Sequence, residues 1–255
     1  MARRMPHVDG VVLSHLELDL LWEDLGLGPL PYPLDVRSHG RTQDERDDLG
    51  AQVFESLRAA GLHDGQEADA ALEDLLVLMS RPVLSLDALV LGGIPLRVLA
   101  AARGRRAVLA VLDREELALR PIAASSLAGV VADVLGDVPP GPGSEVRLPK
   151  EAFVEALTAY NSSGHNAFEW RLSQAGVSGR ASRALWTIAA SPIVGSGQLA
   201  ANGPGGRSPV LTWFDTEAGR YAITTQPGTG PWVTVTPADQ RWLVTRLIGL
   251  TDQVR

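Results

Sequence analysis

The segment PVLTWFDTEAGRYAITTQPGTGPWVTVTPADQRWLVTRLIGL, residues 209–250, limits what this chain can become more than any other stretch. Residues 209–214 and 220–225 are strand-like runs, and the turn between them lies within 215–219. Residues 232–236 form a third run. A helix is expected next: Thr236 is placed to cap the first amides, Pro237 to take the first helical position and Asp239 to sit in the positive first turn. Leu243, Val244, Leu247 and Leu250 then recur at helical spacing. A strand, hairpin, strand and helix in this order state an architecture before they state a function.

The same order can be read earlier in the chain. Residues 11–13 are a short strand candidate, and Ser14 with Glu17 fits a capping box for a helix whose inner face is Leu16, Leu20, Leu21 and Leu25. The prolines of GLGPLPYPLDV return the chain in extended form. The polar stretch SHGRTQDERDDLG leads into a helix over 42–60, faced by Leu49, Val53, Phe54 and Leu57 and ended by Gly61. A further helix spans 67–79. The period then changes, and 83–91, 96–102, 107–112 and 117–121 read as strands joined by GGIP, RGRR and DREE, turns that favour antiparallel pairing. Ser125 or Ser126 opens a helix with Leu127, Val130, Val131, Val134 and Leu135 facing inward.

GDVPPGPGS, residues 136–144, is the clearest boundary, and after it the organisation starts again. A short extended run (146–148) precedes a helix begun by Pro149 and carrying Phe153, Val154 and Leu157. NSSGHN interrupts it, helices follow near 167–174 and 179–189, SPIVGSGQLA is strand-like and NGPGGR is a turn. The expectation is an α/β (α+β) fold duplicated about a pseudo-two-fold axis, with a central, mainly antiparallel sheet. Its halves are 1–138 and 139–255. Pairing the two sheets across the axis would bury their apolar faces under both sets of helices.

Charge and composition narrow the partners. Apolar residues make up 45% and charged residues 21%, an ordinary soluble balance. The formal charge of -7 disfavours nucleic acid and anionic membrane. Arg103, Arg105 and Arg106 cluster, but a hairpin between two strands explains them. With no cysteine in the sequence, disulfides and thiolate chemistry are excluded. MARRMPHVDG lacks an apolar core after its arginines, and acidic residues interrupt the leucines that follow, so neither a signal peptide nor membrane insertion is expected. The expected location is the cytoplasm.

Catalytic patterns are missing. No glycine-rich stretch gives a phosphate loop or a dinucleotide fingerprint, and Gly206 with Arg207 is read as part of a hairpin turn. The five histidines show no metal-ligand spacing. No serine sits in a nucleophile elbow, and Ser162, Ser163 and His165 in NSSGHN lack the orienting carboxylate and oxyanion hole of a relay. No cofactor is expected. Asp44, Glu45, Asp47 and Asp48 charge a helix start. The tryptophans point to packing or contact: Trp213, Trp232 and Trp242 tie the last strands to the last helix, and Trp170 belongs either to a core or to an interface.

Four stretches then fall in a telling order: VVLSHLELDLLWEDLGLGPLPYPLDV, LLVLMSRPV, LAAARGRRAVLAVLDREELALRP and TWFDTEAGRYAITT followed by GPWVTVTPADQRWLVTRL. Together they resemble the EspG family, cytosolic chaperones of type VII (ESX) secretion, over nearly the whole chain. The resemblance implies a pseudo-two-fold α/β fold with two helical bundles and no catalytic centre. It implies binding to a PE–PPE substrate, whose apolar helical tip the chaperone shields and keeps soluble. The implied partner surface covers residues 151–185 of the C-terminal bundle and the loop 91–95, where GGIP is shorter than in many mycobacterial members. The candidates in it and at its edge are Phe168, Trp170, Leu172, Leu185 and Trp186. Phe168 and Leu172 share a helix face and Trp170 points elsewhere. The Ala-, Gly- and Arg-rich composition fits an actinobacterial relative, with a PE/PPE-like or other helical secreted client. An unrecognised hydrolase, a small-ligand protein and a structural or regulatory interaction module stay open as alternatives.

Overall fold

The structure is a computed structural model that describes residues 3–4, 10–225 and 232–255. Residues 1–2, 5–9 and 226–231, which carry most of MARRMPHVDG and the QPGTG turn, lie outside the described residues. The N-terminal half runs β1 (Arg3–Arg4), β2 (Val11–Ser14), α1 (His15–Asp24), α2 (Gln43–Ala59), α3 (Ala70–Ser80), β3 (Leu84–Leu91), β4 (Leu96–Arg103), β5 (Arg106–Leu112), β6 (Glu116–Ala123) and α4 (Leu127–Val134). The C-terminal half runs β7 (Val146–Pro149), α5 (Lys150–Ser163), α6 (His165–Gln174), α7 (Gly179–Ala190), β8 (Ile193–Gly203), β9 (Gly206–Arg207), β10 (Leu211–Thr216), β11 (Gly219–Thr225), β12 (Trp232–Pro237) and α8 (Gln240–Gln253).

All the strands join one sheet in the order β1-β2-β6-β5-β4-β3-β8-β10-β11-β12-β7, with β9 attached to β8. Every ladder between these strands is antiparallel. Outside β1 and β9 the order is a palindrome, with β2-β6-β5-β4-β3 on one side answered by β8-β10-β11-β12-β7 on the other. The pseudo-two-fold axis therefore passes through the β3–β8 pair, where Ala88 lies opposite Leu199.

Strand alternation sorts the core into two faces. Leu86, Ala88, Val98, Ala100, Leu199, Ala201 and Trp213 pack beneath α4 and α8, which lie together on one face. The opposite parity serves the other face. Leu99, Ala101, Val108, Ala110 and Leu119 meet α1–α3, and Phe214, Tyr221, Val233 and Val235 meet α5–α7. The result is a sheet with a helix pair on one side and two bundles on the other.

Local chemistry sets the element ends. The Ser14–Glu17 capping box forms as read: the Ser14 hydroxyl accepts from Glu17 N–H at 3.2 Å, and Glu17 Oε2 accepts from Ser14 N–H at 2.8 Å. Two expected starts move. α8 begins at Gln240, because Thr236 and Pro237 remain paired with Ala222 and Tyr221 in the sheet. Asp239 caps instead, accepting from Trp242 N–H at 2.7 Å. α3 begins at Ala70 rather than 67. Asp64 Oδ1 holds Gln66 and Glu67 N–H in a turn at 2.7 and 2.8 Å, leaving Asp69 to cap Leu72 N–H.

The connection between the halves is pinned. Arg220 N–H donates to Pro139 O at 2.8 Å, Gly141 N–H donates to Arg220 O at 3.0 Å, and the Tyr221 hydroxyl donates to Pro142 O at 2.9 Å. A Cβ at Gly141 would lie 2.0 Å from the Tyr221 ring, so only glycine lets the linker pass so close.

Candidate functional site

The central strands end differently on the two sides of the axis. β3 runs out at Leu91 and turns through Gly92-Gly93-Ile94-Pro95. β8 begins just after α7, and its register places Ser196 opposite Leu91, so Ile193 and Val194 project beyond the end of β3. A Cβ on Gly92 would be 3.5 Å from Val194 O, which shows that the two strand ends touch. Leu91 is 59% exposed, Ile94 68%, Ile193 65% and Val194 58%. Four exposed aliphatic side chains thus gather where the two strands end at the seam. Exposed apolar residues scattered singly need no explanation, but a cluster marks a contact surface.

The C-terminal bundle stands beside this patch. α7 leads through Ser191 and Pro192 straight into Ile193. One turn before the end of α7, the Trp186 ring packs edge-on against His165, with centroids 4.0 Å apart, and against Tyr160 at 5.2 Å. The α5–α6 turn at Gly164, which has φ 76°, therefore sits at the patch end of the bundle. His165 Nε2 is 3.5 Å from Glu169, and its Nδ1 is buried without a hydrogen-bond partner. Ser162 donates back to Thr158 O at 3.1 Å, so it serves the end of its helix.

The candidate residues separate by burial. Phe168, Leu172 and Leu185 are fully buried, with Phe153 and Ile188 around them. They form the bundle that carries the surface. Trp186 is partly buried against this core. Trp170 alone of the five is open, 55% exposed, with the Arg171 guanidinium 4.9 Å from its ring centroid. Ile193 and Val194 escaped the sequence reading. Both are exposed because they lie past the end of β3 and because the β8–β10 register shifts at this point, pairing Gly195 with Asp215 and Ile193 with Thr216.

Polar side chains near the axis are engaged with one another. Asp87, on β3, is buried and accepts from Arg207 Nη1 at 2.6 Å, Arg207 Nη2 at 2.9 Å and Asn202 Nδ2 at 2.7 Å. This carboxylate pushes the Arg207 guanidinium above its ordinary value. Arg207, read as part of a hairpin turn, thus clamps that hairpin to the central strand, while the Tyr32 ring lies 5.1 Å from its guanidinium. Among the described residues no group of three or more His, Cys, Asp or Glu side chains could hold a metal ion. Among them too, no helix is long and apolar enough to cross a membrane.

Comparison with known proteins agrees with this geometry. A model of the EspG family matches residues 14–248. The ESX-1 secretion-associated protein EspG1 of Mycobacterium tuberculosis is 29% identical over 173 residues, and the match covers 62% of this chain and 61% of that protein. The chain thus matches less than two thirds of that relative's length. Among solved structures, the M. tuberculosis type VII secretion system chaperone EspG5, in complex with a PE25–PPE41 dimer, superposes with a TM-score of 0.76 at 17% identity. That match covers 96% of this chain and 97% of EspG5.

Proposed function

The chain belongs to the EspG family, and from that premise we propose that it is a non-enzymatic cytoplasmic chaperone of a type VII secretion system, binding a PE/PPE-like helical client. The observation that carries this reading is the seam patch of Leu91, Ile94, Ile193 and Val194 beside the C-terminal bundle. Covering these side chains contributes roughly 1 kcal/mol each, enough together to anchor a partner whose own apolar helical tip must be kept from water. Trp170 extends the surface along the bundle. Phe168, Leu172, Leu185 and Trp186 hold it in shape. Catalysis plays no part in this account: the work is done by covering apolar surface.

Co-expression with candidate PE/PPE-like proteins tests the reading. The client is expected to be soluble only with the chaperone and to elute with it as a stoichiometric complex. A client that is equally soluble alone, with no complex in any pairing, contradicts the proposal.

A further inference from the structure

Each outer helix leaves a groove against the sheet, and the two grooves differ in chemistry. Beneath α4 the cavity is about 290 Å³ and is walled mostly by aliphatic side chains, among them Leu109, Val111, Val130 and Val134, with Arg120 and Asp133 also lining it. Its pseudo-symmetric counterpart beneath α8 is about 330 Å³, and its walls include Thr224, Thr234, Thr236, Trp242, Arg246 and Glu145. The two sites occupy the same place in the duplicated fold, so the fold itself does not require the polar lining of the second.

The hydrogen-bond inventory of the polar groove is lopsided. Thr236 donates to Glu145 Oε2 at 3.1 Å, and Thr245 donates back to Arg241 O at 2.9 Å. Thr224 and Thr234 face each other across β11 and β12, and Thr234 is only 6% exposed. Arg246 Nε is buried and has no hydrogen-bond partner among the described residues, and the Thr224 and Thr234 hydroxyls line the groove beside it. Buried donors are normally satisfied, because leaving one unpaired costs the full desolvation of the group. A buried guanidinium N–H without an acceptor, flanked by two hydroxyls able to donate, suits a ligand that offers more than one acceptor oxygen, and a carboxylate is such a ligand.

We propose that the groove between α8 and the β11–β12 face binds a carboxylate group, held by Arg246 with Thr224 and Thr234. The source is either a small free acid or an acidic side chain of a polypeptide. NMR titration of the full chain, following the Trp242 indole N–H, distinguishes them with three probes: succinate, N-acetyl-aspartate amide and N-acetyl-asparagine amide. A saturable shift with the carboxylates and none with the asparagine compound is expected. Tighter binding of the aspartate compound assigns the site to a polypeptide, and tighter binding of succinate assigns it to a free acid. Arg246→Met keeps the apolar stem and should weaken binding about tenfold or more, and the isosteric Thr234→Val about threefold, with unchanged circular dichroism. Absence of any saturable shift with either carboxylate overturns the proposal. So does an equal response to the asparagine compound, or an unchanged affinity in folded Thr234→Val.

Discussion

Asp215 and Arg220 face each other across the β10–β11 hairpin in a two-pronged pair, Nε to Oδ1 at 2.6 Å and Nη2 to Oδ2 at 2.9 Å, and the arginine is fully buried. Two further guanidinium protons go to Leu135 O at 2.6 Å and Gly136 O at 2.9 Å, the unsatisfied carbonyl end of α4. One side chain therefore joins the C-terminal sheet to the last helix of the N-terminal half. The Trp213 ring, 5.1 Å from the guanidinium, completes its enclosure.

Removing Asp215 alone strands that charge. Asp215→Ala is expected to destabilise the chain by about 3 kcal/mol or more in urea unfolding. Adding Arg220→Met should recover part of the loss, because the double variant no longer buries an unpaired cation. A single variant within about 1 kcal/mol of the parent would contradict this role.

The aromatic pair on α6 separates core from surface. Phe168 is 0% exposed and Trp170 is 55% exposed. Phe168→Ala should cost about 3 kcal/mol or more of stability, and Trp170→Ala should stay within about 0.5 kcal/mol. Thermal and urea unfolding of both variants check this, and equal losses would overturn the division.

This contrast shows what the sequence could and could not disclose. Local signals were legible: the Ser14–Glu17 box, the strand hairpins and the restart after GDVPPGPGS all depend on neighbours within a few residues. Asp239 displaced Thr236 as a cap because pairing with Ala222 keeps Thr236 extended, and that partner lies in another strand. The Arg220 clamp was invisible because its acceptors Leu135 and Gly136 are about 85 residues away. The patch was half legible: the Leu91–Pro95 loop was marked, whereas Ile193 and Val194 depend on the β3–β8 register. Within α6, helical period placed Phe168 and Leu172 on one face, but only packing decides which face is covered.

Acid should loosen two turns. At Asp113, burial raises the carboxyl, yet N–H donation from Glu116 and Glu115, each at 2.8 Å, outweighs it and holds the group below its ordinary value. Asp64 is lowered by N–H donation from Glu67 and then Gln66. With folded values depressed, the stability these groups supply is complete above the unfolded value, about pH 4, and is lost as pH falls through the folded value. Asp113→Asn keeps an acceptor but does not titrate there. Its urea midpoint should fall less than the parent's between about pH 5 and about pH 3. Parallel pH profiles would contradict the assignment.

Calorimetric titration of the purified chain with a PE/PPE-like client that co-purifies with it, comparing the parent with Ile94→Asp and Ile193→Asp, tests the central claim most directly. Both side chains are exposed, so both variants should fold with the parent's melting temperature. A charge placed at the covered seam should weaken binding about tenfold or more in each. Parent-like affinity in both folded variants would contradict the account.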